Sequence, residues 1–219
     1  MGHLPERAAI GATGYHQVVR GSLFITGIDD ADALLNRDPA ALLIGMLLDQ
    51  QVPMEWAFAG PWTLLGRLGH LDPARIAAMP MDDFVAVCCA RPAVHRFPAA
   101  MGKRIHELCV VLVATYADDI ERLWTDAGDG ADLYARLRAL PGFGDEKAKI
   151  FIAILAKRCA VEPTGWREAA GVFGDDVPRS VADIHSPESL VTVRAWKTAQ
   201  KQAKKDKQDR PLKDRPLTN

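Results

Sequence analysis

The sequence predicts an all-α fold, and three observations support this prediction. Apolar residues recur at the three- and four-residue spacing of helices along most of the chain. Asp38-Pro39 and Asp72-Pro73 each combine an N-cap residue with a proline at the first helical position. No series of stretches alternates apolar and polar residues as half-buried strands do, and the short stretch 22–26 could be a strand or an extended cover.

The predicted helices follow one another with short loops between them. The first begins at Pro39, and its apolar face is formed by Leu42, Leu43, Met46 and Leu47. A short helix begins at Pro73, and the longest begins at Pro98 and carries its apolar face as far as Tyr116. The remaining helices are predicted at 81–89, 118–124, 132–140 and 146–157.

The composition is that of an ordinary globular domain, with 48% hydrophobic and 25% charged residues among 219. No run reaches the roughly 20 consecutive apolar residues that a membrane span requires. Residues 1–20 show no helical period and lack the features of an export signal. We therefore expect a flexible segment over 1–20, no membrane association and a cytoplasmic monomer, associated with the nucleoid if the protein is bacterial.

The net charge of −1 conceals a strong asymmetry. Residues 191–219 carry nine basic and three acidic side chains, so that 18 basic and 25 acidic residues remain in 1–190, a net charge of −7. The near absence of large apolar residues after Trp196 predicts a disordered basic tail over 191–219, following a helical domain over 21–190. Basic tails commonly bind nucleic acid or another anionic partner. The acidic body requires any DNA contact there to come from a local patch or from backbone dipoles.

The four cysteines are predicted to be structural. Their spacing matches no zinc pattern and forms no compact cluster that could hold an iron–sulfur centre. Three of them lie in apolar helical patterns, where cysteine behaves as a small hydrophobic residue. We therefore expect no cofactor at these positions; the four are Cys88, Cys89, Cys109 and Cys159.

A Leu-Pro-Gly-Phe-Gly turn separates two predicted helices at residues 140–144. Gly142 and Gly144 allow close approach of another molecule to the backbone, and Leu140 and Phe143 would anchor the turn in the protein. The first amides of the following helix lack internal partners, so they could bind a phosphate oxygen. The alternative is a plain antiparallel helix pair that uses glycine as its C-cap.

Three segments in this order resemble the helix–hairpin–helix DNA glycosylase superfamily that includes endonuclease III. In chain order they are "LLIGMLLDQQVPMEWAF" from residue 42, "FPAAMGKRIHELCVVL" from residue 97, and the 140–144 turn with its two helices. The resemblance implies two helical lobes, duplex DNA bound between them and a base flipped into a pocket. It also implies a possible monovalent cation at the hairpin, and this chain would be a divergent member without an iron–sulfur cluster.

The resemblance assigns site residues one by one. A glutamine after the early helix fills the gap left by the flipped base, and Gln50 and Gln51 both lie there, with Gln51 the better match; the alternative is a glutamine that caps the helix. The family's catalytic lysine falls on Glu146. Lys147 and Lys149 are then expected to be phosphate contacts or solvated charges, and lyase activity is disfavoured.

The family's aspartate falls on Thr164, so the catalytic carboxylate must come from elsewhere. Glu162 and Glu168 are near in sequence, and Asp49 lies beside the two glutamines. His95, between two arginines in a Pro-bracketed loop, could be a general acid, a phosphate contact or an ordinary surface residue. We expect a monofunctional glycosylase that removes a damaged or mispaired base; the alternative is a non-catalytic module that recognises distorted or abasic DNA.

Overall fold

The computed structural model describes residues 21–117 and 119–209, with side chains as far as residue 203. This part of the chain is all-helical and contains no strand. Its α-helices are α1 (Asp29–Leu35), α2 (Pro39–Leu48), α3 (Met54–Leu68), α4 (Pro73–Ala78), α5 (Met81–Cys89), α6 (Pro98–Tyr116), α7 (Arg122–Thr125), α8 (Gly130–Arg138), α9 (Asp145–Cys159), α10 (Trp166–Ala170) and α11 (Pro187–Asp209). The predicted flexible segment over 1–20 lies outside the described residues.

The two Asp-Pro signals begin helices as predicted. The Asp38 carboxylate accepts hydrogen bonds from the amides of Ala40 and Ala41 at the start of α2. Asp72 binds the amides of Ala74 and Arg75 in the same way at the start of α4. Each cap satisfies amides that have no partner inside the helix, and proline costs nothing at the first helical position.

The stretch 22–26 is an extended cover. Its backbone bonds singly to several different elements: the amide of Ser22 donates to the carbonyl of Arg158, and that of Phe24 donates to the carbonyl of Ile184. The Asn36 side chain bonds both backbone groups of Leu23. This segment therefore ties the start of the domain to the ends of α1 and α9.

Helix α2 lies at the centre of the apolar core. Its residues from Ala40 to Leu48 are all buried, and it contacts α3, α6 and α9. The core also contains three of the cysteines, Cys88, Cys109 and Cys159, and burial raises each thiol pKa to about 12. The predicted burial is therefore confirmed for these three and wrong for Cys89, which is exposed. The end of α2 is consequently held by three neighbouring helices, which makes it a rigid support for a site.

The C-terminal segment differs from the prediction. The expected disorder over 191–209 is absent, because these residues continue α11, which begins at Pro187. The first turns of α11 pack through Leu190 and Val193. The remainder is rich in alanine, lysine and glutamine, which favour helix without needing burial. Residues 210–219, the end of the predicted tail, lie outside the described residues.

Candidate functional site

The turn between α8 and α9 has the shape that its sequence predicts. Gly142 has φ of +79°, a value that glycine adopts without strain. Leu140 and Phe143 are buried on either side of it, and the Phe143 ring packs edge-on against Phe151 with centroids 5.9 Å apart. Gly144 is the N-cap of α9 and is exposed, as is Gly142. The predicted anchors are therefore confirmed, and the first amides of α9 lie beside exposed glycine backbone.

A guanidinium group braces this turn. Arg138 donates from Nη1 to the carbonyl of Phe143 over 2.9 Å. At the start of α9, the Tyr134 hydroxyl donates to Asp145 over 2.6 Å. One carbonyl oxygen that a monovalent cation could use is thus already bonded to a cationic side chain. The turn therefore has a positive side chain bonded directly to its backbone.

Gln50 is fixed in place at the end of α2. Its side-chain amide donates to the carbonyl of Leu47 over 3.0 Å and contacts the sulfur of Met101 at 3.2 Å. Its side-chain oxygen accepts from Nη1 of Arg104 over 3.2 Å. These three contacts use most of the hydrogen-bonding capacity of the amide. Gln50 is therefore a structural link between α2 and α6.

Gln51 has the opposite character. It is exposed, and its backbone has φ of +56°, in the left-handed region that disfavours residues other than glycine. Such a conformation costs on the order of 1 kcal/mol or more, and it is maintained only when the surrounding structure imposes it. Of the two predicted glutamines, Gln51 is the one whose side chain is open to a ligand.

His95 is a buried support for this loop. It is 1% exposed, its Nδ1 accepts from the amide of Phe97 at 3.0 Å, and its Nε2 lies 2.9 Å from the carbonyl of Gln50. Since Nδ1 accepts, Nε2 carries the proton and donates to that carbonyl. Both ring nitrogens are occupied inside the protein. The predicted phosphate contact at His95 is therefore wrong.

Lys147 turns inward. Its ammonium group donates to the carbonyl of Leu47 at the C-terminal end of α2, where the helix dipole favours a positive charge. Burial lowers the pKa of this lysine to about 8, with Arg104 adding to the lowering and Asp49 opposing it. The prediction that Lys147 is a phosphate contact or a solvated charge is therefore corrected. It joins the start of α9 to the end of α2.

Asp49 is the C-cap residue of α2 and is partly buried beside these groups. Burial raises the pKa of its carboxyl group above the ordinary value. The ammonium groups of Lys197 and Lys147 lower that pKa, and the carboxylates of Glu146 and Glu55 raise it. Charged side chains from α3, α9 and α11 thus all influence the pKa of Asp49.

The other two candidate acids lie elsewhere. Glu168 lines a cavity of about 540 Å³ with Thr164 and Lys149. Glu162 lines a different cavity of about 400 Å³, near the C-terminal end of α9. Lys149 forms an ion pair with Asp145 at 3.1 Å and, two positions from Lys147, projects from roughly the opposite side of α9. The predicted Glu162, Glu168 and Lys149 are not brought together with Asp49.

We use the name α2–α9 junction for Asp49, Gln50, Gln51, Arg104, Gly142 and Lys147. A Cβ built on Gly142 would lie 3.4 Å from the Leu47 side chain and 4.0 Å from that of Arg104, so the α8–α9 turn reaches the end of α2. The sequence predicts most of this group. It does not predict Arg104 or the nearby Lys197, because only the folded chain brings α6 and α11 to this point.

Comparison with family models, with curated proteins and with solved structures gives no match. No helix among the described residues is long and apolar enough to cross a membrane. In the same part of the chain, no group of three or more His, Cys, Asp or Glu side chains is placed to hold a metal ion. The function must therefore be argued from the α2–α9 junction.

Proposed function

We propose that the protein is a monofunctional DNA glycosylase of the helix–hairpin–helix type, acting on a damaged or mispaired base in duplex DNA. One observation supports this above all. The exposed Gln51 and the partly buried Asp49 lie two residues apart at the rigid end of α2, next to the glycine turn that opens α9. A residue to fill the base stack, a carboxylate and a phosphate-binding backbone therefore occur at one place.

In this proposal α8, the turn and α9 form the helix–hairpin–helix element, between two helical lobes. The exposed backbone at Gly142 and Gly144 allows a phosphate oxygen to approach the first amides of α9, and the dipole of this 15-residue helix adds attraction. Arg138 supplies positive charge to the turn. Gln51 enters the space that the flipped base vacates.

Asp49 is the proposed catalytic group. As the bond between the sugar C1′ and the base nitrogen breaks, its electron pair leaves with the base and positive charge develops on the sugar. The Asp49 carboxylate stabilises that charge and accepts a proton from the water whose oxygen bonds to C1′. The base takes up a proton from solvent. A carboxyl pKa raised by burial makes Asp49 a stronger proton acceptor than an exposed aspartate.

A single-turnover excision assay tests this proposal. Labelled duplexes carry uracil, hypoxanthine, an alkylated base or an oxidised base, and each reaction is read with and without alkali. Strand breaks that appear only after alkali would identify a monofunctional glycosylase. Asp49→Asn should reduce the excision rate by two orders of magnitude or more, about what loss of one well-placed electrostatic group costs. Glu162→Gln and Glu168→Gln are the matched controls and should retain the rate.

The second candidate is a non-catalytic module that recognises distorted or abasic DNA. The observation that favours it is at Thr164, where the family that the sequence resembles has its aspartate. Threonine carries no carboxylate, so this position cannot supply the charge that would stabilise the transition state. Binding of a duplex with an abasic-site analogue, without excision of any of the four bases, would favour this module over the enzyme.

A further inference from the structure

Helix α11 carries a line of basic residues on one face. Arg194, Lys197 and Lys201 are spaced by three and four positions, so they lie on the same side of the helix. Arg194 and Lys201 are exposed, and Lys197 is half-buried. The same spacing continues in the sequence to Lys204 and Lys205. We call these five residues the basic stripe.

The stripe begins beside the α2–α9 junction. Arg194 forms an ion pair with Glu55 over 2.6 Å, and the ammonium of Lys197 lies 3.4 Å from the sulfur of Met54. Lys197 is also the strongest of the charges that stabilise the ionised form of Asp49. These contacts place the first turns of the stripe against the residues that follow Gln51. Leu190 and Val193, in the first turns of α11, pack in the core. The stripe extends from there toward the C-terminal end of the helix.

We propose that the basic stripe binds the phosphate backbone of duplex DNA next to the nucleotide held at the α2–α9 junction. This inference rests on the proposed function. Residues 1–190 carry a net charge of −7, which opposes association with DNA, so the binding surface needs a concentrated source of positive charge. The stripe supplies it next to the site. From position 194 to 205 the helix rises roughly 16 Å, enough to follow about five phosphates of one strand.

Binding of the full-length protein to duplex DNA tests the stripe. The probe is a labelled duplex with one abasic-site analogue, and anisotropy gives the affinity at several KCl concentrations. The variant replaces Lys201, Lys204 and Lys205 with glutamine, which keeps helix propensity. It leaves out Lys197, which acts on Asp49. Arg75→Gln, an exposed position on α4, removes one positive charge from another helix as a control.

The triple variant should bind at least about tenfold more weakly at moderate salt. Its plot of log affinity against log salt should be less steep by roughly 0.9 for each phosphate that the variant no longer neutralises. Replacement of the same three residues by arginine should restore both quantities. Arg75→Gln should leave both near the wild-type values.

Two other outcomes would overturn the inference in different ways. If wild-type protein binds the duplex and the triple variant binds with the same affinity and salt dependence, the stripe is wrong and the proposed function stands. If wild-type protein binds no duplex even at low salt, where phosphate contacts are strongest, the proposed function fails and the inference fails with it.

Discussion

His95 donates a hydrogen bond from Nε2 to the main-chain carbonyl of Gln50 over 2.9 Å, from a ring that is 1% exposed. The bond joins the loop before α6 to the loop after α2. The bonded carbonyl belongs to the peptide group between Gln50 and Gln51. Gln51 itself has a left-handed backbone conformation. We therefore expect the buried His95 to help fix the direction of the exposed Gln51 side chain.

Replacement of His95 by phenylalanine should affect both stability and excision. It leaves the Gln50 carbonyl and the Phe97 amide without partners, which costs about 1–3 kcal/mol of unfolding free energy for a buried group. His106→Phe is a matched control, because His106 is also buried and lies 2.9 Å from the carbonyl of Met79 on α4's C-cap. Both variants should melt earlier, and only His95→Phe should lose excision beyond the loss of folded protein. Equal excision in the two would show that His95 does not position the site.

Replacement of Gln51 by glycine should increase stability and decrease excision. Gln51→Gly relieves the positive φ and should raise the free energy of unfolding by up to about 1 kcal/mol, measured by urea denaturation. The same change removes the side chain proposed to fill the base stack, so excision should fall. Gln51→Ala keeps the strain and should lower excision without added stability. Full excision by both variants would exclude a role for this side chain.

Asp49→Asn should make the protein more stable at neutral pH and inactive. Burial raises the pKa of Asp49, so the folded state binds its proton more tightly than the unfolded state does. Stability is therefore lost as the pH rises from about 3.8, the ordinary pKa, to the raised pKa of the folded protein, and the loss persists above it. Melting temperatures from pH 3 to 8 should show the variant gaining on the wild type over this range. A variant that is less stable at pH 7 would contradict this account of Asp49.

Lys147 should form no covalent complex with abasic DNA, although its amine is easily deprotonated. Its pKa of about 8 leaves most of the group neutral at pH 8.5. The nitrogen is bonded to the Leu47 carbonyl, so it is held at the end of α2. Borohydride trapping at pH 8.5 should therefore give no cross-link. A cross-link that Lys147→Met removes and Lys149→Met retains would establish a lyase and overturn the monofunctional proposal.

The sequence predicts the parts of this protein in which one segment determines its own structure. The Asp38 and Asp72 caps and the two anchors of the α8–α9 turn depend on a few consecutive residues, and all are found as predicted. Helix α3 is not among the predicted helices. It contains Pro61 in its interior, and it ends at Gly69, which has a left-handed conformation. Proline usually ends a helix, and burial of neighbouring residues overrides that preference here.

The arrangement of the candidate site could not be predicted in the same way. Asp49, Glu162 and Glu168 are equivalent in the sequence, as acids near the residues of interest. The packing of α2 against α9 places Asp49 beside Lys147. Glu162 and Glu168 lie in two separate cavities elsewhere in the fold. The inward direction of Lys147 and the burial of His95 likewise depend on contacts with residues far away in the chain.

The two glycines of the α8–α9 turn should respond differently to alanine. Gly142 has φ of +79°, which alanine adopts only with strain, although a Cβ there would lie at ordinary contact distance, 3.4 Å, from the Leu47 side chain. Gly142→Ala should therefore lower the free energy of unfolding by about 1 kcal/mol or more. Gly144 has φ of −75°, and its nearest neighbour to an added Cβ is the Arg138 guanidinium at 4.0 Å. Gly144→Ala introduces no such strain and should lower the free energy of unfolding by less than about 1 kcal/mol, because alanine is a poorer N-cap than glycine.

Gly144→Ala then isolates the effect of the turn on DNA binding. An added methyl group at an exposed N-cap obstructs a phosphate that approaches the first amides of α9, so affinity for an abasic duplex should fall severalfold under conditions in which both proteins are fully folded. Because no charge is removed, the slope of affinity against salt should change less than in a lysine variant. Unchanged affinity in Gly144→Ala would mean that DNA does not contact this backbone. The turn would then be a plain connection between two helices, with glycine present only for its shape.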